Sequence, residues 1–514
     1  MKYVFKMLDG ECWWGGSSND GSKAPYNQNT VLSRDFRKEA SNQTMPMYLS
    51  NFGRCIWSEE PFACDIRDGA FAIEGENVTL ESFGSTLKDA YVGAMNAHFS
   101  PSGAELEREF FRVPQYNTWM QMTYHQTQDG ILKYARGIIE NGFKPGVLII
   151  DEGWAKGYGN WTFDPIKFPD PESMVNKLHE MGFKVMLWVV PYISTDGLLF
   201  VKNTDPRFCS EKHFLRTEDD HVAIIQWWNG YSAILDFTKD CDREFLDTQL
   251  RALMKDFGID GFKFDGGKLE CYAADSPING KTNDDFTAAE RNIAWNEFGT
   301  RYQYHEYKDT FKGGGKRSIQ RIRDKNHAWD DNGLSDLIPN AITQGLLGHP
   351  FICPDMVGGG AWSFRELNLP VDQELFVRMA QCSALFPMMQ FSWAPWEATD
   401  TAHLSLIKAA HDLHNDFSEK ILSLVADAHK NGEPILRSLE YNYPHKGYAA
   451  INDTFMLGEN ILVAPVIVKG QTEREVTLPE GTWLGFDGKK YAGGRNVTIN
   501  VSLADLPYFE RTEE

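Results

Sequence analysis

The feature that most restricts the fold is an alternation of short apolar segments with helix-like segments between residues 113 and 431. Amphipathic helical patterns separate several of the apolar segments, for example over 129–141, 171–181 and 243–257. Such alternation is typical of strands in a parallel sheet. Eight segments have the composition of strands, at residues 118–122, 147–151, 185–190, 261–265, 302–308, 318–324, 351–355 and 386–390. Eight strand–helix units predict an α/β protein built on a (β/α)8 barrel.

The barrel pattern is flanked by two regions with short alternating strands and turns. Residues 1–112 show period-two alternation, as in 70–74 and 78–81, and predict an N-terminal β-sandwich. A long helix is expected over 404–429. After it, apolar runs such as 455–458 and 461–466 predict a small C-terminal β-sandwich over 432–514. The predicted domains are therefore 1–112, 113–431 and 432–514.

Charge and cysteine spacing restrict the partners and the compartment. The formal net charge of -21 argues against nucleic acid and anionic membranes, because both attract basic surfaces. No stretch approaches the roughly 20 apolar residues of a membrane span. The eight cysteines lie far apart without a Cys-x-x-Cys pair, so neither a zinc site nor a compact disulfide framework is expected. We expect a cytoplasmic protein. Whether a leader sequence has been removed and whether the protein forms a homo-oligomer are left open.

Four of the predicted strands end in an aspartate: Asp151, Asp265, Asp324 and Asp355. The carboxyl ends of barrel strands form the rim where barrel enzymes place catalytic groups. Two carboxyls about 5–5.5 Å apart would suit a retaining glycosidase, one as nucleophile and one as acid/base. Oxygen-rich Mg²⁺ or Ca²⁺ coordination and purely structural acids, such as a turn cap at Asp265, are the alternatives.

Three motifs resemble glycoside hydrolase family 31, the α-glucosidase and α-galactosidase superfamily. They are the strand Gly-Phe-Lys-Phe-Asp ending at Asp265, the segment FICPDMVGGG containing Asp355, and the segment FMLGENILVAP at 455–465. The resemblance implies a β-sandwich, a (β/α)8 barrel and a C-terminal β-domain, with Asp265 as the nucleophile.

The acid/base aspartate is implied by spacing within the same resemblance. In the family it precedes a tryptophan by five residues, a step that Asp324 and Trp329 keep. Asp324 is therefore preferred over Asp330 and Asp331, although Trp329-Asp330-Asp331-Asn332 superficially looks like another family signature. A salt bridge from Asp324 to Arg321 or Arg323 is the structural alternative.

The remaining pocket resembles the family only in part. The predicted substrate-binding residues are Asp151, Trp154, Trp188, Lys263, Lys308, Arg321, Asp355 and Ser392. Lys263 stands where the family commonly has a tryptophan, and Lys308 stands where it has an arginine. Ser392 takes the place of a histidine, and Lys268 takes the place of a glutamate. A lysine cannot make the planar, two-pronged contact of an arginine, so hydroxyl recognition must differ from that of an ordinary α-glucosidase.

The resemblance implies a retaining exo-α-glycosidase that needs no cofactor or metal. Its expected partner is a small α-glycoside or oligosaccharide. Among these, α-galactosides are favoured and α-glucosides come next, because the motifs look nearest to the branch of the myogenesis-regulating glycosidase and bacterial α-galactosidases. The alternatives are a sulfoquinovosidase, α-xylosidase or transglycosylase of the same family, and a non-catalytic carbohydrate-binding barrel. A sulfonated or carboxylated sugar is suggested by Lys263, Lys308 and Arg321.

Overall fold

The central element is one eight-stranded sheet in which all paired neighbours run parallel. The computed structural model describes residues 1–40, 42–205, 207, 211–272, 286–330 and 332–512. The strands are β1 (Gln115–Asn117), β2 (Val147–Ile150), β3 (Lys184–Val189), β4 (Gly261–Phe264), β5 (Tyr304–Tyr307), β6 (Ile319–Arg321), β7 (Ile352–Cys353) and β8 (Gln390–Phe391). Their order is β7-β6-β5-β4-β3-β2-β1-β8. Val357, beyond β7, forms a parallel bridge with Phe391 of β8. The predicted barrel is confirmed and is nearly closed.

Strands β2 to β7 overlap the predicted segments, whereas the first prediction was wrong. The segment 118–122 is not a strand, because β1 ends at Asn117 and Trp119–Met122 form a helical turn. The Asn117 side chain accepts a hydrogen bond from the Trp119 backbone N–H at 2.8 Å, which turns the chain out of the sheet. The last strand also lies later than expected, at Gln390–Phe391 rather than 386–390.

Helices surround the barrel, and local sequence sets several of their ends. Asp170 caps the helix Pro171–Glu180 through the Ser173 N–H, with proline at its first position. The helix Asp240–Phe257 ends at Gly258, whose φ is 74°. The long helix expected over 404–429 is instead two helices, because the chain bends at Phe417, whose ring packs against Tyr508.

Around the barrel the helices are Gln128–Glu140, Pro171–Glu180, Leu198–Thr204, Asp240–Phe257, Ala288–Phe298, Leu337–Leu346, Trp362–Glu366, Gln373–Ala384, Pro395–Ala398, Thr401–Asp416 and Ser418–Asn431. Short 3-10 turns cover Leu269–Tyr272, Gly299–Arg301 and Leu334–Asp336.

Two small sheets are inserted into the barrel, and the sequence analysis missed both. A hairpin follows β2, with strands Ala155–Gly157 and Asn160–Phe163. A three-stranded antiparallel sheet lies between β3 and β4 and contains Tyr192–Ser194, Ile224–Trp227 and Gly230–Ile234. Both insertions follow the carboxyl ends of barrel strands, where they extend the rim of the barrel.

The N-terminal region contains two antiparallel sheets and a helix that the sequence analysis did not predict. One sheet has the order Lys2–Lys6, Ala70–Glu74, Ala63–Arg67 and Leu32–Asp35. The other contains Trp13–Ser17, Gln43–Ser50, Arg54–Trp57 and Thr79–Ser82. Thr310–Phe311, which follows β5, adds to Gln43–Ser50 in parallel. The remaining elements are the helices Leu87–His98 and Glu109–Arg112 and the 3-10 turn Ser18–Lys23.

The C-terminal region is a small antiparallel β-domain. Its six-stranded sheet has the order Leu436–Arg437, Phe455–Leu457, Ile461–Val463, Tyr508–Thr512, Thr482–Gly485 and Lys490–Ala492. Glu473–Leu478 pairs with Arg495–Asn500, and a short helix covers Leu439–Asn442. None of the helices in the described part of the chain has the length and apolarity that crossing a membrane requires.

Candidate active site

A cleft of about 270 Å³ opens at the carboxyl ends of the barrel strands. Seven of the predicted site residues line it: Asp151, Trp188, Lys263, Asp265, Lys308, Arg321 and Asp324. Tyr124, Glu152, Trp228, Lys268 and Trp362 are among the other residues of its wall. Three predicted residues, Trp154, Asp355 and Ser392, lie outside the lining.

Asp265 follows β4 and is held in one orientation by hydrogen bonds. Its backbone N–H donates to the Val189 carbonyl of β3 at 2.8 Å. The Trp188 indole N–H donates to one carboxylate oxygen at 3.1 Å, and the Gly266 N–H donates to the other at 2.8 Å. Burial raises the pKa of Asp265, but the charges of Lys308, Lys263 and Arg321 outweigh burial and lower the pKa to about 2. Asp265 is therefore a fixed carboxylate at neutral pH.

The turn after Asp265 requires glycine at two consecutive positions. Gly266 and Gly267 have φ values of 65° and 63°, in the left-handed region. A Cβ on Gly266 would lie 2.7 Å from the Tyr192 ring, and one on Gly267 would lie 2.5 Å from the Trp295 ring. The two glycines thus let the chain leave β4 sharply, which keeps the Asp265 carboxylate at the rim.

Asp324 lies beyond β6 and binds two cations. Lys308 Nζ is 2.7 Å from one of its oxygens, and Arg321 Nη1 is 2.9 Å from the other. Burial raises the pKa of Asp324, but these two cations outweigh it and leave the pKa below the usual aspartate range. Of the alternative aspartates, Asp330 is exposed and outside the lining, and Asp331 lies outside the described residues.

Asp355 lies behind the cleft and fixes Arg321. Its carboxylate is 2.7 Å from Arg321 Nη1, and it accepts backbone hydrogen bonds from Lys325 at 2.6 Å and Gly360 at 2.7 Å. Glu306 lies 3.4 Å from Arg321 Nε. Since Asp355 does not line the cleft, it supports the cation beside Asp324 and does not face the cavity.

Asp151 and Lys263 form a buried ion pair in the cleft wall. Their charged atoms are 2.6 Å apart, and the Asn117 amide donates to the same Asp151 oxygen at 2.7 Å. Of the two other residues outside the lining, Trp154 donates its indole N–H to the Trp188 carbonyl at 2.8 Å. Ser392 accepts a hydrogen bond from the Met120 N–H at 2.7 Å. Trp154 lines a neighbouring cavity that shares Tyr124 and Trp188 with the cleft, and Ser392 is buried.

A hydrogen-bonded group around Glu152, which also lines the cleft, was not predicted from the sequence. Glu152 accepts hydrogen bonds from the Tyr158 hydroxyl at 2.7 Å, from the Trp228 indole at 3.3 Å and from the Asn229 amide. Burial raises the pKa of Glu152 to about 8. Trp228 and Asn229 form the turn of the hairpin inserted between β3 and β4. The Asn-Gly pair at 229–230 is a hairpin signal that could have located this turn.

Comparison with known proteins identifies the family. A model described as "Glycosyl hydrolases family 31 TIM-barrel domain" matches residues 114–411, and its C-terminal domain counterpart matches residues 432–514. The chain belongs to glycoside hydrolase family 31. This membership confirms the resemblance drawn from the three motifs.

Relatives within family 31 differ in their named activities. The chain is 30% identical to the myogenesis-regulating glycosidase of Mus musculus over 83% of its length and 60% of the relative's. It is 25% identical to alpha-glucosidase 2 of Bacillus thermoamyloliquefaciens over 98% of its length and 67% of the relative's. The structure of a dextranase from Flavobacterium johnsoniae, complexed with glucose, superposes on the chain with a TM-score of 0.84 at 18% sequence identity. The match covers 99% of this chain and 66% of the dextranase chain. The chain thus spans about two thirds of these relatives.

Proposed function

We propose that the protein is an exo-acting, retaining α-glycosidase in which Asp265 is the nucleophile and Asp324 is the acid/base. The observation that supports this most strongly is that both carboxylates line one cleft, at the ends of β4 and β6. The Trp188 and Gly266 N–H groups orient Asp265, while Asp324 is the carboxylate with the more exposed side chain, at 35%. A fixed anion beside a more accessible carboxyl suits the two roles.

The reaction proceeds in two displacements. An Asp265 oxygen attacks the anomeric carbon, the bond to the leaving oxygen breaks, and Asp324 gives its proton to that oxygen. Asp324 then removes a proton from water, which attacks the anomeric carbon and releases Asp265 and the sugar with its α configuration retained. Lys308 and Arg321 favour the ionised form of Asp324 in the free protein. The first step therefore requires Asp324 to take up a proton as substrate loosens these contacts.

The substrate class is an α-linked hexose, with α-galactosides first and α-glucosides next. Support comes from Lys308 and Lys263, which replace the residues of ordinary α-glucosidases, and from the similarity to the myogenesis-regulating glycosidase. A non-catalytic carbohydrate-binding barrel is less well supported, since both carboxylates line the cleft. A screen of nitrophenyl α-galactoside, α-glucoside, α-xyloside and sulfoquinovoside, with product analysis for glycosyl transfer, separates the family alternatives.

The nucleophile assignment is tested by Asp265→Ala. Loss of the attacking carboxylate should lower turnover of the preferred nitrophenyl α-glycoside at least about a thousandfold. Added azide occupies the vacated space, so it should restore activity and give the β-glycosyl azide, detectable by NMR. Asp330→Ala, at an exposed neighbour of the cleft, is the matched control and should keep near-normal activity. Full activity of Asp265→Ala without azide would refute the assignment.

A further inference from the structure

Among the residues that the structure describes, four cations line the cleft, and three of them are already paired with carboxylates. Lys263 pairs with Asp151 at 2.6 Å and Lys308 with Asp324 at 2.7 Å. Arg321 lies 2.7 Å from Asp355 and 2.9 Å from Asp324. These three cations were the ones that the sequence suggested for an anionic substituent. Since each of them already contacts a carboxylate of the protein, an anionic substituent would compete with that carboxylate for the cation.

Lys268 is the fourth cation and differs from the other three. It follows Asp265 by three residues, at the end of the Gly-Gly turn, and lines the cleft. Within the described part of the chain its ammonium has no ion pair and no hydrogen bond. The charge that acts on it most strongly is Asp309, which raises the pKa of Lys268, so the side chain stays protonated at neutral pH. Asp309 itself accepts a hydrogen bond from the backbone N–H of Asn42 and forms no ion pair with Lys268.

We propose that Lys268 is a specificity-determining residue that binds an anionic substituent of the α-glycoside substrate. This inference rests on the proposed glycosidase function and narrows its substrate class to glycosides that contain a carboxylate, a sulfonate or a phosphate ester. An ammonium with three unused N–H donors in a cleft must donate to water or to a ligand. Both partners of an ammonium–anion contact are ionised, and charge-assisted hydrogen bonds of this kind are shorter and stronger than those between neutral groups.

Two positions of the anion on the substrate are compatible with this chemistry. The anion belongs either to the glycosyl ring that Asp265 attacks or to the leaving group that Asp324 protonates. Lys268 lines the same cleft as Asp265, Lys308 and Asp324, and the charges of Asp265 and Lys308 both act on it. The experiment therefore varies the anion at both positions.

The test compares matched neutral and anionic substrates in wild type and Lys268→Gln. The ring pair is 4-nitrophenyl α-galactoside against 4-nitrophenyl α-galacturonide. The leaving-group pair is phenyl α-galactoside against 4-carboxyphenyl α-galactoside. The α-glucosyl series replaces both pairs if the neutral screen selects glucose. The wild type should favour the anionic member of one pair by about tenfold or more in kcat/KM.

Lys268→Gln should bring the ratio of kcat/KM for the anionic and neutral members of that pair to about one, because the charge-assisted hydrogen bond is lost. Lys202→Gln, an exposed lysine on the helix Leu198–Thr204, is the matched control and should keep the preference. The proposal is overturned if neither pair favours the anion, or if Lys268→Gln leaves the ratio unchanged. If none of the four compounds is turned over, the proposed function fails instead, and calorimetric binding of the same four compounds measures the Lys268 preference independently.

Discussion

At the scale of single residues, the cations of the cleft set the protonation state of its acids. Desolvation alone would raise the pKa of both Asp265 and Asp324, yet Lys308 and Arg321 reverse that effect for both. No such cation acts on Glu152 among the described residues, and burial raises its pKa in the ordinary direction. One cleft therefore contains carboxyls with lowered and raised pKa values, which is the arrangement that acid–base chemistry uses.

Lys308→Met should raise the pKa of Asp324, because it removes the cation that lies 2.7 Å from that carboxylate. The acid form of Asp324 would then persist to higher pH, so the basic limb of the kcat/KM profile should move up by about one unit or more. The pH dependence of hydrolysis of a neutral nitrophenyl glycoside measures the shift. Lys308→Arg keeps the charge and should leave the limb close to its wild-type position. A basic limb that stays in place in Lys308→Met would argue against Asp324 as the acid.

At the scale of elements, the site depends on how each barrel strand ends. The Val189 carbonyl of β3 accepts a hydrogen bond from the Asp265 backbone N–H, and the Trp188 indole of the same strand donates one to the Asp265 carboxylate. β3 and β4 thus fix the nucleophile jointly, and the Gly266–Gly267 turn lets the chain leave immediately afterwards. The inserted hairpin with Trp228 and Asn229 completes the wall on the side of Glu152.

Gly267→Ala tests the role of the turn. A methyl group there would meet the Trp295 ring at 2.5 Å in a backbone conformation with φ of 63°. We expect a loss of about 2–4 kcal/mol of unfolding free energy and a lower kcat, because the strain displaces Asp265. Denaturant unfolding and steady-state kinetics measure the two effects. Gly157→Ala, where a Cβ meets no atom within 4 Å, is the matched control and should change stability by about 0.5 kcal/mol or less. Equal stability of the two variants would contradict this view of the turn.

At the scale of the whole molecule, much of the fold and part of the site were predictable. Strands β2 to β7 are short and overlap the predicted segments, and the four predicted strand-end aspartates lie shortly beyond β2, β4, β6 and β7. The pairing of Lys308 with Asp324 and the isolation of Lys268 were not predictable, since side-chain partners depend on tertiary contacts. The positions of Trp154 and Ser392 outside the lining of the cleft were not predictable for the same reason, because a strand-end position does not say which side chains face the cavity. Their roles in binding stay predictions. The domain boundaries at 112 and 431 stay a prediction.

The central claim is that Asp265 forms a covalent bond to the sugar, and trapping that intermediate tests it most directly. The protein is incubated with 5-fluoro-α-galactosyl fluoride and, separately, 5-fluoro-α-glucosyl fluoride, then digested and examined by mass spectrometry. We expect one fluoroglycosyl group per chain on the peptide that contains Asp265, and none in Asp265→Ala. A label on Asp324 or another carboxylate, or turnover of substrate without any trapped adduct, would contradict it.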